Sequence, residues 1–226
     1  MSSTDTAAIA SVKPAVAESF AGAPVVGVVR TGARTEAAAI ARAFRDGGLE
    51  LIEITFTVPG AAELVAELRR ERGEEGPPWI GMGTVTTAAR AHEALEAGAE
   101  FLVTPNVSRA VAELALEAGV FLVVGALTPT EIVEASAAGA DLVKVFPLPP
   151  VGGPGYLSVV RGPLGDVPML AAGGFGVEEI PAYRAAGAVA FGLGPPLVGA
   201  TPEETASRVR RALALARPGA AGEAGG

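Results

Sequence analysis

The sequence predicts an α/β protein of the (β/α)8 barrel type with an extra N-terminal helix, and three observations carry that prediction. One phrase recurs along the chain: a helical stretch rich in Ala and Glu, then a glycine, then a short β-branched run. Gly98, Gly119 and Gly139 lie about one βα unit apart, which is the mark of a repeated supersecondary unit. With 226 residues, 50% of them hydrophobic, the chain has the length usual for a single barrel.

Residues before Pro24 are expected to form a helix across the barrel bottom, interrupted or started near Pro14. The opening strand is Val25 to Arg30. Ala41-Arg-Ala-Phe-Arg-Asp-Gly-Gly48 leads into a second strand in the run Leu49 to Thr55, and Trp79 to Met82 supplies the third. Ala94-Leu-Glu-Ala-Gly98 precedes a fourth at Phe101 to Thr104, and Leu116-Glu-Ala-Gly119 a fifth at Val120 to Val124. Ala135-Ser-Ala-Ala-Gly139 leads to the sixth, Leu142 to Phe146. Pro168 to Ala171 forms the seventh, and Tyr183-Arg-Ala-Ala-Gly187 introduces the eighth at Val189 to Phe191. The gaps from Gly48 to Gly98 and from Gly139 to Gly187 are about twice as long because each holds one more unit. Glycine after a helix suits a left-handed C-cap, and uniform βα alternation calls for a parallel sheet. The expected organisation is one barrel domain over 1–217, followed by a Gly/Ala-rich disordered tail over 218–226.

Composition excludes several classes of function. Without cysteine there are no disulfides, thiolate nucleophiles or thiolate-bound metals, and a lone histidine, His92, speaks against a zinc site. A formal charge of −8 with no basic cluster argues against nucleic acid as a partner. The uncharged stretch Ala185 to Ala200 is broken by Pro195 and Pro196 and is too short to span a bilayer, and no signal peptide is read at the N-terminus. The expectation is a soluble cytoplasmic protein acting on a small molecule, with no metal and no cofactor.

Two lysines stand against fifteen arginines, and one of them, Lys144, lies inside the apolar run Asp141-Leu-Val-Lys-Val-Phe-Pro147. Only lysine can shed its proton and attack a carbonyl, so an amine kept in a buried strand points to imine chemistry. The same residue could instead snorkel to solvent or pair with Glu53. Barrel chemistry sits at the carboxyl ends of strands, and polar residues fall there: Arg30, Glu53, Thr55, Thr84, Thr104, Asn106, Thr128 and Lys144. By alternation, Lys144 shares its face with Leu142 and Phe146, while Val143 and Val145 face the helices, and Glu53 shares its face with Leu51 and Thr55. A carboxylate and an amine would thus meet inside the barrel, through substrate or water or as a structural bridge.

Arg30 has the planar fork that fits a substrate carboxylate, or it is a surface arginine at a strand end. Thr84 and Thr128 could donate hydroxyl hydrogen bonds to the same ligand. Gly173, Gly174 and Gly194 end strands 7 and 8, where backbone N–H groups often bind phosphate, or they simply make tight turns. Pro195 and Pro196 remove two donors after Gly194 and suit the start of a short helix.

Taken together, Ile52-Glu-Ile-Thr55, Gly81-Met-Gly-Thr-Val85, Val103-Thr-Pro-Asn106, Val143-Lys-Val-Phe-Pro147 and Ala172-Gly-Gly174 resemble, in order and spacing, the bacterial 2-keto-3-deoxy-6-phosphogluconate (KDPG) and 4-hydroxy-2-oxoglutarate (KHG) aldolases, across roughly Val25 to Gly199. That resemblance implies a class I, metal-free, homotrimeric barrel enzyme that releases pyruvate and an aldehyde, either glyceraldehyde 3-phosphate or glyoxylate. It implies Lys144 as the imine-forming residue, Glu53 as the proton-moving carboxylate, Thr84 and Pro105 in the pocket, and Phe146 beside the imine. Arg30 resembles the strand-1 arginine of the 6-phosphogalactonate branch. Thr57 stands where phosphogluconate members often carry arginine, Ala172 where threonine is frequent, Pro195 at a phosphate-binding serine, and Val124 at a common proline. The Ala172 and Pro195 departures weaken the distal phosphate site, so an unphosphorylated 2-oxo acid is the neighbouring expectation. A barrel that binds a sugar acid or phosphate without an imine, such as an isomerase or epimerase, is the remaining one.

Overall fold

The computed structural model describes residues 3–73 and 76–217. The tail assigned to disorder, 218–226, lies outside them. In chain order the elements are α1 (Ser3–Gly22), β1 (Val25–Val29), α2 (Arg34–Asp46), β2 (Leu51–Thr55), α3 (Ala61–Arg72), β3 (Trp79–Gly83), α4 (Ala88–Glu96) and β4 (Phe101–Val103). They continue with α5 (Arg109–Ala118), β5 (Phe121–Ala126), α6 (Pro129–Ala137), β6 (Leu142–Val145), α7 (Gly153–Arg161), β7 (Met169–Ala172), α8 (Ile180–Ala185), β8 (Ala190–Leu193) and α9 (Pro202–Ala216). The eight strands pair in parallel, each with its sequence neighbours, and β8 closes on β1. The fold is a (β/α)8 barrel.

The apolar residues divide by strand alternation into two layers, as a sheet buried on both faces requires. Val26, Leu51, Trp79, Phe101, Val103, Phe121, Val123, Leu142 and Leu170 fill the barrel. Ile52, Ile54, Ile80, Met82, Leu102, Leu122, Val143 and Val145 pack outward against the helices. Leu142 therefore points in while Val143 and Val145 point out, as the pleat demands. Gly48, Gly98, Gly119, Gly139 and Gly187 all take positive φ after their helices, which matches the recurring phrase in the sequence.

The N-terminal helix plugs the end of the barrel where the strands begin. Phe20 stacks on Phe121 at 4.5 Å and meets Phe101 edge-on at 5.9 Å, and Trp79 Nε1 donates to Ser19 Oγ at 3.0 Å. Lys13 pairs with Asp141 at 2.9 Å. The helix runs through Pro14 rather than breaking or starting there. Proline removes one N–H from the helical ladder, and the packing of Val16, Ser19 and Phe20 over the following turns fixes the segment despite that loss.

Candidate active site

Lys144 on β6 and Glu53 on β2 project into the barrel above the apolar layers. They are 9% and 2% exposed, and Lys144 Nζ stands 3.9 Å from Glu53 Oε2. That spacing is close enough for charge attraction but outside hydrogen-bond distance. Glu53 Oε1 is buried and, among the described residues, has no hydrogen-bond partner. Buried carboxylate oxygens are seldom left in that state. The amine also lies 5.4 Å from the centre of the Phe146 ring.

Two glycines make room for this pair. Gly83 stands at the end of β3 beside β2, and a Cβ there would collide with the Glu53 carboxylate. Gly125, the register partner of Lys144 on β5, lets the backbone of Pro105 approach where a side chain would otherwise stand. The Pro105 backbone thereby packs onto β5 at the register position of Lys144. It is held there by Thr104, whose buried hydroxyl donates to Asn106 O at 2.8 Å and accepts from Gly125 N at 3.1 Å.

Arg30 follows β1, and two threonines hold its guanidinium: Nη1 donates to Thr57 Oγ1 at 3.2 Å and Nη2 to Thr84 Oγ1 at 3.1 Å. The polarity of the clasp is fixed by its surroundings. Thr55 donates to Val29 O at 3.0 Å, so the 2.7 Å contact between Thr55 and Thr57 has Thr57 as donor. The lone pairs of Thr57 are then free to accept from Arg30. Thr84 sits at φ 61°, a left-handed conformation that is strained for a β-branched residue.

The remaining expectations fare differently. Gly173 and Gly174 have φ of 133° and 94°; Gly173 packs against Pro147, Leu148 and Pro149, whereas Gly174 faces open space. Gly194 packs against Val28 O, and Pro195 to Leu197 form one turn of 3-10 helix. No described side-chain contact links these three glycines to Lys144 or Arg30. Thr128 spends its hydroxyl proton locally, donating to Glu131 Oε2 at 3.0 Å. Its hydroxyl caps α6 by accepting from Glu131 N, and the Glu131 carboxylate returns to the Thr128 N–H, so local helix capping has claimed it. Sequence reasoning missed Arg90, whose guanidinium donates to Thr84 O at 3.3 Å. Among the described residues there is no group of three or more His, Asp or Glu side chains placed to hold a metal, and no helix long and apolar enough to cross a membrane.

A buried amine and carboxylate, with a guanidinium held between two strand-end threonines, gather at the carboxyl end of the barrel, where enzymes of the (β/α)8 class carry their chemistry. The KDPG and KHG aldolase family model matches residues 16–211, and the chain belongs to that family. It is an aldolase, a lyase of carbon–carbon bonds. The chain is 34% identical over 162 residues to the 2-dehydro-3-deoxy-phosphogluconate aldolase of Treponema pallidum, spanning 72% of this chain and 74% of that one. It is 35% identical over 175 residues to a probable 2-dehydro-3-deoxy-6-phosphogalactonate aldolase of Rhizobium meliloti, spanning 77% and 81%. The structure also superposes on the 2-keto-3-deoxy-6-phosphogluconate aldolase of Zymomonas mobilis solved with 3-phosphoglycerate, with a TM-score of 0.80 at 25% identity, over 91% of this chain and 98% of that one.

Proposed function

We propose that the protein is a class I aldolase that cleaves a 2-keto-3-deoxy-6-phospho-sugar acid or 4-hydroxy-2-oxoglutarate to pyruvate and an aldehyde, glyceraldehyde 3-phosphate or glyoxylate. In this reading the free amine of Lys144 attacks the C2 carbonyl, water leaves, and the resulting iminium draws electrons from C3. Glu53, directly or through water, takes the C4 hydroxyl proton as the C3–C4 bond breaks, and the aldehyde departs. The C3 carbon of the enamine is then protonated, and hydrolysis of the imine returns pyruvate and the amine. Arg30 holds the C1 carboxylate in its fork, Phe146 covers the imine, and Thr84 and Pro105 line the pocket. No metal or cofactor is required, because the iminium is the electron sink. The family resemblance further suggests a cytoplasmic homotrimer.

The observation that carries the proposal is the 3.9 Å separation of Lys144 Nζ and Glu53 Oε2 inside the barrel, with Glu53 Oε1 unsatisfied. The test is incubation with pyruvate and borohydride, followed by intact mass and peptide mapping. A reduced pyruvyl adduct on Lys144 supports the reading. Folded protein that gains no adduct turns the assignment to a barrel that binds a sugar acid or phosphate without covalent chemistry.

A specific observation favours a second substrate range. Pro195 and Pro196 offer no N–H groups to a phosphate, and Ala172 offers no hydroxyl. An unphosphorylated 2-oxo acid would then be cleaved by the same steps. Comparing kcat/KM for 6-phosphorylated and plain substrates separates the two.

A further inference from the structure

We infer that Arg90 is a positioning residue for the carboxylate-binding Arg30, an inference that rests on the role proposed for Arg30 above. Arg90 lies in the first turn of α4, where a cation opposes the helix dipole. Thr87 caps that turn by accepting from Arg90 N at 3.2 Å, so the residue's backbone is fixed. Its side chain turns back over the mouth of the barrel. Nη1 donates to Thr84 O at 3.3 Å and to Thr86 Oγ1 at 3.0 Å, and the guanidinium lies 5.3 Å from the centre of the Phe56 ring.

These contacts join the two loops that grip Arg30. Thr84 leaves β3, and Phe56 lies between Thr55 and Thr57 after β2. Thr57 and Thr84 each accept one arm of Arg30, and Arg90 touches the neighbour of the first and the carbonyl of the second. Thr84 also needs outside support to keep its φ of 61°, and a charge-assisted hydrogen bond to its own carbonyl supplies it. One guanidinium thus sets both the spacing of the two threonines and the backbone angle that aims the Thr84 hydroxyl. Lysine cannot lie flat on Phe56 while donating to two oxygens, so the planar fork is required.

The experiment measures the pyruvate concentration that half-saturates borohydride trapping in the wild type, R30A, R90A, R90K and R30A/R90A, with melting temperatures recorded for each. R90A should raise half-saturation roughly threefold to tenfold, within the coupling expected of residues sharing one network, and leave the adduct plateau unchanged. R90K should fail to restore it, and R30A/R90A should be no weaker than R30A alone. A shift in R30A without one in R90A or R90K overturns the inference and leaves the Arg30 role intact. A loss in R90A that adds in full to that of R30A also overturns it, since Arg90 would then act independently. An unshifted R30A removes the Arg30 role and this inference together, and wild-type protein without adduct removes the imine reading beneath both.

Discussion

Glu53 and Lys144 stand on strands four positions apart in a ring of eight, on opposite walls of the barrel, yet their charged ends come within 3.9 Å across its interior. The barrel core ends beneath them in Leu51, Leu142 and Phe101, so the pair forms a polar floor on an apolar plug. A ligand entering from the carboxyl ends of the strands would meet both groups at once.

Replacing Lys144 with arginine keeps the positive charge and removes the nucleophile. Lys144→Arg should yield no borohydride adduct, and its kcat/KM should fall on the order of 10³-fold or more. A K144R protein with substantial turnover would end the imine mechanism.

Glu53→Gln keeps the shape of the side chain and removes the proton acceptor. Cleavage should slow by about 10²- to 10⁴-fold while pyruvate can still be trapped on Lys144. Single-turnover measurements separate these steps, and an unchanged cleavage rate would exclude Glu53 as the base.

Gly83→Ala places a methyl group where the Glu53 carboxylate lies. Overpacking of this kind costs about 1–3 kcal/mol, and here the side chain forced aside is Glu53. The variant should resemble Glu53→Gln in cleavage rate, measured beside its urea midpoint, and retention of full activity would show that Glu53 can relocate without loss.

Phe20→Ala tests the opposite end of the barrel. Phe20 is buried between Phe101 and Phe121, and its truncation should cost about 3–5 kcal/mol by urea unfolding. At temperatures where the variant stays folded, kcat and KM should match the wild type, because this end supports stability rather than chemistry.

The capping box at α6 predicts a pH dependence of stability. Glu131 is held below its ordinary value of 4.5, first by the Thr128 N–H, then by the Leu127 N–H and the Thr128 hydroxyl. A carboxyl lowered by folding stabilises the protein above its unfolded value and loses that contribution as pH falls through the folded one. Glu131→Gln should therefore lower the melting temperature at about pH 7, and the difference from wild type should shrink below about pH 4. A constant difference across that range would mean that the amide and the acid cap alike.

The fold was legible in the chain because five helices end in the same glycine punctuation, from Gly48 to Gly187, and the two double-length gaps each hold one more unit. Lys144 and Glu53 were legible because each is a charge in a run of β-branched residues, where burial makes it conspicuous. Thr128 misled because a strand-end threonine followed three residues later by Glu131 is equally a helix cap, and only the folded backbone decides where the hydroxyl points. Gly83 went unread as a space for Glu53, since an absent side chain leaves no sequence signal. Arg90 is one of fifteen arginines, and its reach to Phe56 and Thr84 depends on how two loops lie side by side. Glu100 escaped notice too. It is fully buried and pairs with Arg72 at 2.8 Å, tying α3 to the strands far from the chemistry.

The scarcity of lysine bears on what an aldehyde-releasing enzyme does to itself. Aldehydes condense with exposed primary amines, and guanidinium groups react far less readily under the same mild conditions. The second of the chain's two lysines, Lys13, is tied to Asp141 beneath the barrel, with only 30% of its side chain accessible. Product accumulating around the protein finds little lysine amine to glycate. The same economy makes amine-directed labelling a nearly silent background against which a single modified lysine can be read.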